Sequence, residues 1–178
     1  MKKLLFLAVM IAFGATSANA QFKAGFGLGY AFPTGDITDF ADGGISGYGE
    51  IGYGINENFD ISLLYQGDFL IGADVSGGSL ENITMSSFLA NARYFFGVTK
   101  FKPYVGLGLG FTDISQDDLA GFSGSGVDES NFGIRPSVGF KYGVLNVNAA
   151  YLSAGKIEDT TVSDFTINVG LLFTFGVK

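Results

Sequence analysis

The residue types that most often carry out catalysis are missing from this chain, which has no histidine and no cysteine. Without them, the Ser–His and Cys–His pairs that activate a nucleophile cannot be built. Carboxylates could still provide acid–base catalysis, but the densest ones lie in glycine- and serine-rich segments, where little would fix their geometry. We therefore expect no enzymatic activity, no metal centre and no cofactor.

Two short motifs fit known patterns literally. Gly47-x-Gly49-x-x-Gly52 fits a dinucleotide fingerprint, which requires a helix to follow it, but the strand-like alternation continues to Ile55. Asn82-Ile83-Thr84 fits a glycosylation acceptor, a three-residue pattern that occurs easily by chance. Neither motif supports a function.

The first twenty residues have the three regions of a secretory signal peptide. Lys2 and Lys3 precede an apolar stretch over 4–15, and Ala18-Asn19-Ala20 provides a small-x-small cleavage site. A stretch of this length is too short for a membrane-spanning helix, which needs about 20 apolar residues. The sequence predicts a cleavable signal peptide over residues 1–20 and one domain over 21–178.

The composition is that of a membrane β-structure. Charged residues and aromatic residues each make up 15%, glycine occurs 28 times, and the mean hydropathy is positive. A soluble domain usually has about 25% charged residues. The net charge of −7 excludes nucleic acid as a partner, because its phosphates require basic side chains.

The remainder of the chain alternates between apolar and polar residues with a period of two, which is typical of β-strands. In the last segment Phe165, Ile167 and Val169 fall on one face, and Thr166 and Asn168 fall on the other. The pattern predicts eight strands, near 22–32, 45–55, 59–71, 83–96, 102–111, 132–143, 145–154 and 165–175. Each is long enough to cross a membrane as a tilted strand.

The predicted connections alternate in length. Long ones fall near 33–44, 72–82, 112–131 and 155–164, and short ones near 56–58, 97–101 and 143–144. Transmembrane barrels have long extracellular loops, short periplasmic turns and an even number of strands. The sequence therefore predicts an all-β fold, an eight-stranded antiparallel up-and-down transmembrane β-barrel of the outer membrane, with both termini in the periplasm.

The two faces of these strands differ as a barrel requires. One face has aromatic residues near both strand ends and aliphatic residues between them, which is the pattern of a lipid-facing surface. A lipocalin-like soluble barrel is the alternative, but its outer face should be rich in charge, and the second face here is rich in glycine. The larger charged side chains on that second face predict a paired polar network in the lumen: Glu50, Asp60, Arg93, Arg135 and Lys141.

The chain resembles the small OmpA/OmpX-type outer-membrane barrels. The resemblance rests on the eight strands, the loop alternation and the segment Lys102-Pro103-Tyr104-Val105-Gly106-Leu107-Gly108-Leu109-Gly110-Phe111. The C-terminal pattern of Asn168, Gly170, Phe173 and Phe175 is similar to that family's β-signal. The resemblance implies that the barrel-assembly machinery reads this signal, and that lipid and lipopolysaccharide surround the folded barrel. In most family members the final Phe ends the chain, whereas Gly176-Val177-Lys178 follow here.

The predicted long loops are acidic. They contain one base, Lys156, and these acids: Asp36, Asp39, Asp42, Asp74, Glu81, Asp113, Asp117, Asp118, Asp128, Glu129, Glu158, Asp159 and Asp164. Such loops could simply keep the surface soluble, or they could bind divalent cations that bridge to lipopolysaccharide phosphates.

We expect a non-enzymatic envelope protein that acts through its loops, by adhesion, shielding or contact with an unidentified partner. A narrow, porin-like ion channel and an accessory subunit of a larger outer-membrane complex are the alternatives.

Overall fold

A computed structural model of the chain describes residues 21–35, 38, 41–72, 81–97, 99–118, 129–157 and 160–176. The predicted signal peptide, residues 1–20, lies outside the described residues. So do six of the acids assigned to loops: Asp36, Asp39, Asp74, Asp128, Glu158 and Asp159.

Eight strands follow one another along the chain: β1 (Gln21–Gly35), β2 (Ala41–Gly54), β3 (Phe59–Gly72), β4 (Glu81–Phe95), β5 (Phe101–Asp118), β6 (Glu129–Tyr142), β7 (Leu145–Ile157) and β8 (Thr160–Phe175). Each strand pairs antiparallel with its neighbours in sequence, and β8 pairs with β1 to close the sheet into a barrel. The predicted eight-stranded antiparallel barrel is confirmed. None of the described residues lies in a helix long and apolar enough to cross a membrane.

Glycine brings β1 and β8 close together where the barrel closes. Gly29 pairs with Asn168, and Gly27 pairs with Gly170. A Cβ atom on Gly29 would collide with the carbonyl oxygen of Ile167, and one on Gly170 would collide with that of Phe26. Larger residues at these positions would therefore push the two strands apart.

The outward face is apolar over most of the height of the barrel. At the short-turn end, the ring of Phe22 lies 5.7 Å from that of Tyr53 and 6.0 Å from that of Phe175. At the opposite end, Tyr30 and Phe32 pack edge to face at 4.8 Å. Exposed aliphatic side chains lie between the two aromatic groups: Leu28, Ile51, Leu63, Leu107, Leu109, Val138 and Val169. This surface matches the hydrocarbon region of a membrane with an aromatic girdle on each side.

The strands extend further than predicted at the long-loop end. The connection predicted over 155–164 is wrong, because only residues 158–159 separate β7 from β8. Lys156 pairs with Thr161 and Ile157 with Thr160, and a register shift accompanies the positive φ of Gly155. The β-branched residues at the start of β8 favour continued pairing, and the bulge lets β7 continue alongside them. The three other long connections are also shorter than predicted, and they cover residues 36–40, 73–80 and 119–128.

The two-sided surface leads to a prediction about Val169, which is 54% exposed on the outward face between the aromatic girdles. We expect Val169→Arg to lower the free energy of unfolding in liposomes by about 2–4 kcal/mol, the usual cost of Arg at the bilayer midplane. Ile55→Arg is the matched control, because Ile55 is exposed at the short-turn end, where the cost falls to about 0–1 kcal/mol. Denaturant titration measures both, and equal costs would contradict a lipid-facing position for Val169.

Candidate functional site in the barrel lumen

The lumen is filled by side chains from all eight strands. Because successive strand residues point to opposite faces, every second residue projects inward. An eight-stranded barrel is only wide enough for those side chains. The described acidic and basic side chains buried there are Lys23, Glu50, Asp60, Asp68, Arg93, Arg135 and Asp164.

Four of these charges form what we call the ion cluster: Lys23, Glu50, Asp60 and Arg93. Arg93 Nη1 donates to Glu50 Oε1 at 2.8 Å, and Arg93 Nε donates to Asp60 Oδ1 at 2.9 Å. Lys23 Nζ donates to Asp60 Oδ2 at 2.7 Å. The structure thus brings together three of the predicted lumen residues, and it adds Lys23. Lys23 alternates along β1 with Phe22, which faces outward, so its position follows from the period of two, but the sequence does not show its partner.

The ion cluster is balanced in charge and closely surrounded. Its two acids and two bases leave no net charge, and Ser62 donates a hydrogen bond to the second carboxylate oxygen of Glu50 at 3.0 Å. The Arg93 guanidinium lies 5.7 Å from the ring centres of both Phe95 and Tyr104. Such faces attract a cation, so aromatic rings supplement the carboxylates.

Arg135 belongs to a second group of buried polar residues, which are connected through side-chain amides. Its Nε donates to Gln66 Oε1 at 2.6 Å and its Nη2 donates to Asn148 Oδ1 at 3.2 Å. Gln66 in turn donates to Asp68 Oδ2 at 2.7 Å. The sequence predicted that Arg135 pairs with a charged side chain. In this chain of hydrogen bonds, however, the amide of Gln66 lies between Arg135 and the carboxylate of Asp68.

Lys141 lies at the short-turn end of the lumen. It is half-buried and donates to Thr174 Oγ1 at 2.9 Å. Within the described part of the chain it forms no ion pair, so the structure does not bring it to a carboxylate as predicted. The position of Lys141 explains this, because it is the next-to-last residue of β6.

The assignment of Asp164 to a loop is wrong, because Asp164 lies in the lumen. β8 begins at Thr160, and Asp164 shares the inward face with Thr166 and Asn168, all three fully buried. Counting backwards by two from Asn168 would have found it. Asp42 and Asp113, also assigned to loops, lie on strands and are exposed, and the same strand extensions include Glu81, Asp117, Asp118, Glu129 and Lys156.

Buried apolar side chains fill part of the lumen towards both ends. Phe95, Tyr104 and Leu172 form a buried cluster at the short-turn end. At the long-loop end lies a larger cluster, the apolar cap, made of Ala31, Leu70, Ile83, Met85, Ile114, Ala154 and Val162. A cavity of about 10 Å³ lies between Glu50, Arg93 and Tyr104. That volume is close to the minimum that holds one water molecule.

The residues of the predicted β-signal lie along the strand that closes the barrel. Asn168 and Gly170 face inward against β1, and Phe173 and Phe175 face outward with their rings stacked at 6.2 Å. The tight contact of Gly170 with β1 gives this glycine a structural role. Recognition by the assembly machinery stays a prediction.

The ion cluster leads to a prediction about Arg93. We expect Arg93→Leu to lower the free energy of unfolding by about 3–5 kcal/mol, because Glu50 and Asp60 would lose a buried partner. Lys141→Leu is the control, since it removes a half-buried cation that has no described carboxylate partner, and it should cost much less. Denaturant unfolding in liposomes measures both variants, and similar losses would show that Arg93 is not held in a buried ion cluster.

Comparison with known proteins agrees with this architecture. The structure of Neisserial surface protein A has a TM-score of 0.68 at 20% identity, covering 88% of this chain and 99% of that one. The structure of Ail, the attachment invasion locus protein of Yersinia pestis, in complex with the heparin analogue sucrose octasulfate, has a TM-score of 0.54 at 12% identity, covering 86% and 99%. A search of curated proteins found no match.

These structural likenesses show a shared fold, and a family profile assigns the chain more directly. The profile described as "Outer membrane protein beta-barrel domain" matches residues 4–175. The match spans nearly the whole sequence and agrees with the closed eight-stranded barrel and its apolar outer face. The chain therefore belongs to the outer membrane protein β-barrel domain family, as an outer-membrane barrel of the small OmpA/OmpX type.

Proposed function

We propose that this protein is a closed, non-enzymatic outer-membrane barrel that acts through its extracellular surface, by adhesion, shielding or contact with a partner. The observation that supports this most directly is the filled lumen. A conducting pore needs a continuous column of water, whereas the ion cluster and two apolar clusters occupy this interior.

The residue types support the non-enzymatic part of the proposal. The sequence has neither histidine nor cysteine, and Asp60, Glu50 and Arg93 neutralise one another inside the barrel. A carboxylate held in such a pair, behind aromatic and apolar side chains, is poorly placed to meet a substrate. No group of three or more His, Cys, Asp or Glu side chains in the described ranges is arranged to hold a metal ion.

The charge of the long-loop end favours a cationic partner. The four connections at that end, 36–40, 73–80, 119–128 and 158–159, contain six acids and no Lys or Arg. Ail was solved with a sulfated heparin analogue, which is a polyanion. Acidic loops repel such a ligand, so we propose that this barrel instead contacts basic protein surfaces, or divalent cations that bridge to lipopolysaccharide phosphates.

The orientation and assembly complete the proposal. We propose export by the signal peptide over 1–20, insertion by the barrel-assembly machinery through the β-signal, and both termini in the periplasm. The even number of strands supports termini on one side, and the short turns after β2, β4 and β6 are typical of the periplasmic side.

The closed lumen predicts a result in planar lipid bilayers. We expect the purified barrel to produce no steady conductance above that of a protein-free bilayer, because buried apolar side chains fill part of the lumen towards both ends. An open porin in the same bilayer is the control for sensitivity. Large, steady currents from the folded barrel would support the narrow-channel alternative and overturn the proposal.

The proposed orientation predicts where a protease cuts intact cells. Proteinase K should cleave within 119–128, the longest of the four extracellular connections, and should spare the turn near 97–101. Permeabilised cells are the control, in which the periplasmic turn also becomes accessible. Cleavage at the turn in intact cells, with 119–128 protected, would reverse the orientation.

A further inference from the structure

Two buried aspartates lie outside the ion cluster, towards the long-loop end of the lumen. Asp68 on β3 is 1% exposed and Asp164 on β8 is fully buried. Their carboxyl groups are close enough to hydrogen-bond to each other, and Ser46 is close enough to hydrogen-bond to Asp68. Arg135 is the nearest guanidinium, but its hydrogen bonds go to Gln66 and Asn148 and not to either carboxylate.

Within the described part of the chain, several oxygens of this group have no hydrogen-bond partner outside the group. They are both carboxylate oxygens of Asp164, Oδ1 of Asp68, Oγ of Ser46 and Oγ1 of Thr166. Ser46 is the register partner of Asp68, and Thr166 is the next inward residue after Asp164 on β8. Ser46 and Thr166 are both fully buried. Buried charged oxygens are costly unless a cation or donors compensate them.

The strand positions between the four side chains carry small residues. On β1 and β2, Ala31 is the register partner of both Thr166 and Gly44, and Gly29 is the partner of Ser46. No long side chain from these positions can reach across to the two carboxylates. The apolar cap lies at the same end of the lumen, and electrostatic attraction is stronger in such buried, apolar surroundings than in water.

We propose that Asp68 and Asp164, together with the hydroxyls of Ser46 and Thr166, bind one divalent cation, with calcium preferred. The donors are all oxygens and carry two negative charges, which suits a hard cation. Calcium accepts irregular oxygen ligands and up to eight of them, whereas magnesium requires a strict octahedron and keeps several waters. This site differs from the sequence-based expectation of no metal centre, and it includes Asp164, which the sequence analysis had assigned to a loop. It would fasten β3 to β8 across the lumen, beneath the apolar cap.

The test uses the full-length barrel refolded in a zwitterionic detergent free of lipopolysaccharide. Equilibrium dialysis with radioactive calcium counts bound ions, and heat-dependent gel mobility measures the unfolding midpoint in calcium or in a chelator. Asp164→Asn and Asp68→Asn remove one ligand charge each. Asp113→Asn is the matched control, because it makes the same charge change at an exposed position on β5.

We expect the wild type and Asp113→Asn to bind one calcium ion more than Asp164→Asn. Their midpoints should rise by about 5–10 °C when calcium is near one hundred times its Kd. Asp164→Asn and Asp68→Asn should show no such rise. In the chelator, Asp164→Asn should be more stable than the wild type, because it removes one of two facing carboxylates.

Two results would overturn the proposal. One is an equal calcium response in Asp164→Asn and Asp113→Asn, which would place the bound ions in the acidic loops. The other is a wild-type midpoint that depends on pH but not on calcium, which would show that the two aspartates share a proton. If the aspartate variants do not fold, Thr166→Val decides the matter, since it keeps both carboxylates. It should weaken calcium binding about tenfold, and unchanged binding would contradict the site.

Discussion

The pairing of β8 with β1 is the constraint on which the rest of this structure depends. Inside a bilayer, backbone N–H and C=O groups find no water, so each must be satisfied by another strand. A sheet achieves this only when it closes, and Gly27, Gly29 and Gly170 permit the close approach that closure requires. Once the barrel is closed at eight strands, its diameter is set, and the lumen becomes a core that side chains must fill.

That narrow lumen explains why charge can be buried in this protein. Between the aromatic girdles the outward face is apolar and meets lipid, so the polar strand residues at that level point inward. There, Arg93 holds Glu50 and Asp60 in one cluster, and the aromatic rings of Phe95 and Tyr104 close the space around it. The amide-connected group around Arg135 fills the middle, and the apolar cap fills the long-loop end. The same packing that stabilises the barrel fills its interior.

Much of this architecture could be predicted because β-structure in a membrane imposes a strict period of two. The alternation identified all eight strands, both faces of β8 and the inward position of every predicted lumen residue. Strand ends were predicted less well, because pairing continues beyond the membrane, where no apolar face marks the strand. Asp164 was therefore assigned to a loop that is in fact part of β8. Partners such as Lys23 for Asp60, or Gln66 for Arg135, depend on how the strands are staggered around the barrel, which the sequence does not reveal.

Thiol labelling tests most directly whether the lumen is a packed core and not an aqueous path. The chain has no cysteine, so Ser87→Cys and Ser137→Cys, both at buried lumen positions, would each introduce a single thiol with little change in size. Ser130→Cys, at an exposed position on β6, is the control. With a small, charged, water-soluble thiol reagent on the folded barrel in liposomes, we expect rapid labelling of the Ser130 variant only, and of all three after unfolding. Rapid labelling of the two lumen variants in the folded barrel would contradict this account.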